Sequence, residues 1–172
     1  MSEATEITVV QMLARAYAIE REAQSRYADL ADQMQVHNNT ELAELFGKLA
    51  EIEGKHAAKI KSRTAGAELP YISPLAYRWP GAEAPENVDI SVAHYLMTPH
   101  HALKMALAGE QRAVEYFQDL TDRAADPDAR ALAEEFVEEE REHVELVKKW
   151  LEKYPEPEEG WDEDHDPPVI QE

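Results

Sequence analysis

Two Glu-x-x-His pairs, Glu53 with His56 and Glu140 with His143, are the residues whose types and spacing point most directly to chemistry. In a helix, residues three apart lie on one face, so each pair would present a carboxylate beside an imidazole. Both groups are common metal ligands in proteins. A chain with 36 acidic residues and 7 histidines can contain such a pair by chance, so the motif alone is weak evidence.

A further glutamate lies upstream of each pair, Glu20 before the first and Glu110 before the second. The polar stretch around His37 predicts a turn, and Glu20 lies 17 residues before it while Glu53 lies 16 after it. Glu110 and Glu140 each lie 15 residues from the centre of a second predicted turn. Antiparallel helices rise equally from a shared turn, at ~1.5 Å per residue. Each glutamate is therefore expected to lie level with its partner, about 24 Å from the turn.

This register predicts one polar layer in the middle of a helical bundle, formed by Glu20, Glu53, His56, Glu110, Glu140 and His143. Four buried carboxylates cannot all remain charged and unpaired in an apolar bundle, so they must be protonated or hold cations. Two divalent ions would balance the four charges. Glutamate and histidine ligands without thiolate favour iron or manganese and also accept zinc, and redox chemistry would favour iron. Glu139, also one turn from His143, is an alternative to Glu140, although Glu140 fits the inward-facing line better.

Four helices are needed to position this layer, and the sequence predicts an all-α four-helix bundle, the architecture that the ferritin-like resemblance described below also implies. The helix starts are marked by Thr8, by Asn39 or Thr40, by Thr98 before Pro99, and by Asp126 before Pro127. Short turns make two antiparallel helix pairs, and a long crossover joins the pairs. The apolar residues expected to face inward include Leu13, Tyr17, Ala31, Phe46, Leu107, Val114, Phe117, Leu132 and Phe136.

One domain is expected at residues 1–154, followed by an acidic, flexible tail at 155–172. The crossover, at about 64–97, contains four prolines, which argue against a continuous helix. It also carries several aromatic and aliphatic residues, so we expect a strap packed along the bundle, with a short helix at 91–96 as an option. His100 and His101 are expected to pack near the loop and not to join the metal cluster, because His101 lies about half a turn off the face of Glu110.

The composition excludes several classes of protein. A net charge of −19 disfavours nucleic acid and anionic membranes as partners. Without cysteine the chain has no disulfide, catalytic thiol, zinc–thiolate site or iron–sulfur cluster. No apolar run approaches the ~20 residues of a membrane span, and the acidic start is unlike a signal peptide. A soluble, cytoplasmic protein is expected.

Four segments, 20–27, 45–56, 108–110 and 140–143, resemble the helix motifs of the rubrerythrin branch of the ferritin-like diiron-carboxylate superfamily. The resemblance covers about residues 8–62 and 98–152 and implies a diiron centre. It implies that two glutamates bridge the two iron ions, namely Glu53 and Glu140. Each ion is then completed by one further glutamate and one histidine, in the pairs Glu20 with His56 and Glu110 with His143.

Tyr27 lies seven residues after Glu20, as a tyrosine does in the rubrerythrin motif. By that resemblance it is a hydrogen-bond partner near the centre; an ordinary core tyrosine is the alternative. Two features depart from the family pattern. Rubrerythrins usually carry a second ligand glutamate three residues after the helix 3 glutamate, where this chain has Ala113. They also usually carry a rubredoxin domain, and this cysteine-free sequence shows none. The six-ligand set is similar to that of bacterioferritin.

The resemblance implies a non-haem diiron oxidoreductase that reduces H₂O₂ or O₂ with electrons from an external donor, in a homodimer or larger homo-oligomer. The cofactors are expected to be two iron ions, with manganese or zinc as alternatives in a purified sample. The alternative function is that of a ferritin-like protein that oxidises and stores or sequesters iron. The third possible function is that of a structural bundle that holds a redox-inert metal.

Overall fold

The computed structural model describes residues 7–73 and 97–159, and these residues form four helices and no strand. The helices are α1 (Val9–Val36), α2 (Thr40–Ser62), α3 (Pro99–Arg123) and α4 (Pro127–Leu151). The predicted all-α four-helix bundle is therefore confirmed. None of the helices in this part of the chain is long and apolar enough to cross a membrane. The optional helix at 91–96, most of the strap, and the tail after residue 159 lie outside the described residues.

Side-chain caps fix where the helices begin, as the sequence predicts. At α1 the Thr8 hydroxyl accepts a bond from the Gln11 N–H at 3.3 Å, and the Gln11 side chain accepts one from the Thr8 N–H at 3.0 Å. This reciprocal pair is a capping box. The Asn39 side chain accepts a hydrogen bond from a backbone N–H of α2 at 3.3 Å. The Asp126 carboxylate accepts two hydrogen bonds from backbone N–H groups in the first turn of α4, at 2.8 and 3.4 Å.

Replacing Asp126 by alanine is expected to lower the free energy of unfolding by about 1 kcal/mol, because two N–H groups of α4 lose their acceptor. The proline that follows keeps the backbone ready for the helix, so the start of α4 should not move. Urea denaturation measures the change. Asp122→Ala, at an exposed position of α3, is the matched control and should change stability by less than ~0.5 kcal/mol. Equal losses in the two variants would contradict the cap.

The end of α2 and the start of α3 lie at opposite ends of the bundle. The Asn39 side chain donates to the carbonyl of Met97 at 3.0 Å, so α2 and α3 begin at the same end. His100 contacts the carbonyl of Tyr154 at 2.9 Å, so α4 ends there too. Because α2 has 23 residues and spans about 35 Å, its end lies about that distance along the bundle axis from the start of α3. Two antiparallel pairs with one long crossover is the connectivity of the ferritin-like fold.

The core consists of two apolar clusters separated along the bundle axis. One lies towards the α1–α2 turn and includes Tyr27, Leu30, Phe46, Leu103 and Val147. The other lies towards the opposite end and includes Met12, Ile19, Ile60, Phe117 and Phe136. The predicted ligand layer falls between them in sequence on all four helices.

The predicted inward face is incomplete: its half-buried members pack against the two apolar clusters, but it omits several fully buried residues. Five residues expected to face inward are only half-buried: Tyr17, Ala31, Leu107, Val114 and Leu132. Four that the prediction did not include are fully buried: Met12, Ala16, Ile19 and Leu30. The buried stripe of a bundle helix is at least about 100° wide, so a single line of residues describes only its centre, and its edges depend on the neighbouring helices.

Candidate metal centre

The four predicted glutamates lie in the interior of the bundle. Glu20, Glu53, Glu110 and Glu140 are each 1% exposed, and they come from four different helices. His143 is buried with them, while His56 is half-buried. Among the described residues no other acidic, basic or histidine residue is classed as buried. The structure therefore brings the six predicted residues to one polar layer between the two apolar clusters.

His143 lies at the centre of this layer. Its Nδ1 atom is 3.3 Å from Oε2 of Glu110, 3.3 Å from Oε2 of Glu140 and 4.0 Å from Oε1 of Glu53. One imidazole nitrogen is thus within reach of carboxylates on three helices. Such a convergence of oxygen and nitrogen ligands is typical of a metal site and rare on an ordinary helix face.

His56 approaches the layer from α2. Its Nδ1 atom is 4.0 Å from Oε1 of Glu20, and its Nε2 atom is 3.4 Å from Nε2 of His143. The two imidazole rings stack, with centroids 4.3 Å apart and planes 29° from parallel. His56 thus approaches Glu20, whereas His143 is equally close to Glu110 and Glu140. The assignment of Glu20 with His56 to one ion and Glu110 with His143 to the other stays a prediction.

Two groups of potential ligand atoms come within 4.8 Å of one another in the described part of the chain. One comprises Glu53, His56 and His143, and the other Glu110, Glu140 and His143. Both oxygens of Glu53, both of Glu140 and Nδ1 of His56 are buried without a hydrogen-bond partner. Buried polar atoms in this condition are costly unless a cation or a proton compensates them. These donors fit a pair of divalent metal ions.

The pKa values of two glutamates and both histidines in this layer are shifted, because burial and neighbouring charges act on their side chains. Burial, reinforced by the charge of Glu110, raises the pKa of Glu53 to about 8, and burial raises that of Glu140 to about 7. Burial alone would lower the pKa of His143, but the adjacent carboxylates of Glu110 and Glu140 raise it to about 11. Burial and the neighbouring His143 lower the pKa of His56 to about 4. The metal-free layer thus retains protons at neutral pH that metal ions would displace.

The choice between Glu139 and Glu140 is decided by the rotation of α4. Glu140 points into the layer, whereas the Glu139 side chain is 15% exposed and pairs with Lys59 of α2. A second ion pair, between Arg63 and Glu135, lies on the same side of the bundle. Neither pair was predicted, because partners 80 and 72 residues apart carry no local sequence signal.

Gly54, next to Glu53, lies against the side chain of Gln24. A Cβ atom built at Gly54 would lie 2.3 Å from Nε2 of Gln24, which is one turn after Glu20 on α1. Since the contacting atom is the end of a flexible side chain, alanine would displace Gln24 at low cost.

The remaining predicted residues lie in the following places. Tyr27 is fully buried in the apolar cluster nearer the α1–α2 turn and stacks on Phe46 with centroids 6.2 Å apart. His101 lies 2.9 Å from the Thr98 hydroxyl at the start of α3, and His100 contacts the end of α4. Neither histidine joins the metal layer, as predicted. A role for Tyr27 at the centre stays a prediction.

The sequence model of the rubrerythrin family matches residues 11–100 and 101–168, which is nearly the whole chain. The chain belongs to the rubrerythrin family. It is also similar to a crystal structure at 2.00 Å of an uncharacterized conserved protein from Magnetospirillum magnetotacticum MS-1. That match has a TM-score of 0.67 and 41% sequence identity, and covers 88% of this chain and 98% of the other. A search of curated proteins gave no significant match.

Membership of the rubrerythrin family gives the buried layer its context. A rubrerythrin-type domain is a diiron-type domain, and the glutamates and histidines of this chain form groups that could hold metal. The family motif and the donor geometry agree, although one depends on sequence and the other on distances between atoms.

Proposed function

We propose that this chain is a non-haem diiron protein that reduces H₂O₂ or O₂. The proposed ligands are Glu20, Glu53, His56, Glu110, Glu140 and His143. The observation that carries the proposal is the set of buried carboxylates gathered around His143 between two apolar clusters, with the oxygens of Glu53 and Glu140 lacking hydrogen-bond partners. Two bound ferrous ions would supply two electrons, which together with two protons convert H₂O₂ to two molecules of water.

The chain contributes charge, position and exclusion of water. Four carboxylates match the charge of two divalent ions, and the neutral imidazoles add ligands without further charge. The apolar clusters on both sides of the layer keep bulk water away, which strengthens every electrostatic interaction within it. An external electron donor has to restore the reduced state, because the chain has no cysteine with which to hold an iron–sulfur centre. Assembly into a homodimer or larger homo-oligomer is part of the proposal.

Iron oxidation coupled to storage is the second candidate, and Ala113 is the residue that favours it. This alanine is fully buried, one turn after Glu110, at the position where the rubrerythrin pattern usually has a further glutamate. The site of this chain therefore has six ligands, as in bacterioferritin. A reaction that depends on a seventh ligand, which would be a fifth carboxylate, is not available here.

Anaerobic loading of the apoprotein with two ferrous ions per chain, followed by H₂O₂ or O₂ in separate experiments, is expected to separate these functions. The proposed function predicts optical changes of a diferric centre, faster oxidation by one oxidant, and repeated turnover when a reductant is supplied. Uptake of many more than two iron ions per chain would favour storage. A centre that stays unchanged with both oxidants would contradict both functions and favour a structural metal.

A further inference from the structure

The polar layer opens to the outside beside His56. The four glutamates are buried, but the His56 side chain is 25% exposed. A cavity of 550 Å³ lies between α2 and α4, and His56 and His143 form part of its lining. We call it the α2–α4 groove. Two other cavities, one beside Tyr17 and one between α3 and α4 beside Val114, are lined by none of the six site residues.

The walls of the α2–α4 groove include two aliphatic side chains, Ile52 of α2 and Leu146 of α4. Both are half-buried. The groove is open, and among the described residues these two side chains are its only aliphatic lining, beside the two histidines. The two aliphatic side chains offer no hydrogen bond to a hydrated ion, whereas a small uncharged molecule loses little hydration when it passes them.

The rim of the groove is electrically balanced, in contrast to the chain as a whole, whose net charge is −19. Among the charged lining residues, Arg141 pairs with Glu138, and Glu145 pairs at 2.7 Å with Lys148, which is not part of the lining. The other two charged rim residues have opposite signs, namely Glu142 and Lys149.

Two further ion pairs continue this balance along the α2–α4 side, between Lys59 and Glu139 and between Arg63 and Glu135. A strongly acidic opening would concentrate cations and repel anions. A balanced opening does neither, so cations do not accumulate there and compete with a neutral molecule for entry.

We propose that the α2–α4 groove is the route by which a small uncharged oxidant, H₂O₂ or O₂, reaches the centre, and that Ile52 and Leu146 set its width. This inference rests on the proposed function for the identity of the oxidant. The route itself is a property of the metal-free chain and can be tested without iron.

The first test narrows the groove. Leu146→Trp is expected to lower the second-order rate constant for oxidation of the diferrous protein by H₂O₂ at least about tenfold, while the protein still binds two metal ions. Val114→Trp is the matched control, because Val114 is also half-buried but lines the separate cavity between α3 and α4. The control should react at the wild-type rate.

The second test needs no metal. Dissolved O₂ is paramagnetic, so it speeds the NMR relaxation of methyl protons that it approaches. In the metal-free protein, dissolved O₂ is expected to increase the methyl relaxation rates of Ile52 and Leu146 at least about twice as much as those of Leu132. Leu132 is also half-buried but lines none of these cavities.

The outcomes separate the route from the function. Slow oxidation of Leu146→Trp with full metal content, together with a normal control, supports the route; a wild-type rate with full metal content overturns it. If wild-type protein fails to bind two ions, the proposed function fails, and O₂ relaxation alone decides the route. If Leu146→Trp does not fold, Ile52→Phe replaces it, and the relaxation measurement on wild-type protein stands unaffected.

Discussion

Replacing Glu53 by glutamine is expected to abolish tight metal binding and to make the metal-free protein more stable at alkaline pH. Both oxygens of Glu53 are buried without a hydrogen-bond partner, and burial raises the pKa of this carboxyl to about 8. Above that pH the metal-free protein must hold a buried charge that His143, 4.0 Å away, compensates only in part. Glutamine has nearly the same volume and no charge, so it removes the penalty and also the anionic ligand.

We expect the affinity for divalent ions to fall at least about 100-fold in Glu53→Gln, equivalent to roughly 2.7 kcal/mol. We expect the free energy of unfolding of the metal-free protein at pH 9 to rise by roughly 1–3 kcal/mol. Calorimetric titration with Co²⁺ and urea denaturation in EDTA measure the two effects. Opposite signs are the diagnostic result, because a substitution that merely damages the fold lowers both quantities.

Glu51→Gln is the matched control for this experiment. Glu51 lies two residues earlier on α2, with its side chain 66% exposed and paired with Lys55. The same chemical change there should leave two ions bound and alter stability by no more than about 1 kcal/mol. If Glu53→Gln binds two ions as tightly as this control does, Glu53 is not a ligand and the proposed centre is wrong.

The metal-free protein is also expected to lose stability as the pH rises from 6.5 to 8. Glu53 and Glu140 have folded pKa values, about 8 and about 7, above the ordinary value of 4.5. A carboxyl with a raised folded pKa stabilises the fold below its unfolded pKa, and that contribution is lost as the pH rises through the folded value. His143, raised from 6.5 to about 11, changes stability in the same direction above pH 6.5.

His56 acts in the opposite direction but in a different range of pH. Its pKa is lowered from 6.5 to about 4, so its contribution is lost as the pH falls from 6.5 towards 4. Between pH 6.5 and 8 the other three groups therefore dominate, and we expect a decrease of roughly 2–4 kcal/mol. Urea denaturation in EDTA at three pH values across this range measures it.

Saturation with Zn²⁺ is expected to remove most of this pH dependence, because the metal ions replace the protons that the layer holds. Calorimetric titration at pH 7 in buffers of different ionisation enthalpy should show protons released on binding. Stability that stays constant or rises between pH 6.5 and 8 in EDTA would show that Glu53 and His143 are not protonated as described. Equal pH dependence with and without Zn²⁺ would show that the ions bind elsewhere.

The elements of this bundle could be predicted because their information is local. Thr8, Asn39 and Asp126 mark helix starts through bonds to residues two or three positions away. The inward faces were predicted less accurately, since Tyr17 and Leu132 are half-buried and Met12 and Ile19 were missed. How wide a buried stripe becomes depends on which helices pack beside it, and periodicity does not report that.

The sequence by itself determined the level of the six candidate ligands, because the rise per residue of a helix is constant and counting from a turn fixes the height. Tertiary structure alone decided what depends on helix rotation and on neighbours distant in the chain. It turned Glu140 inward and paired Glu139 with Lys59. It also set His143 among carboxylates of three helices and left His56 beside an open groove. Protonation and access follow from burial, and burial exists only after the four helices pack together.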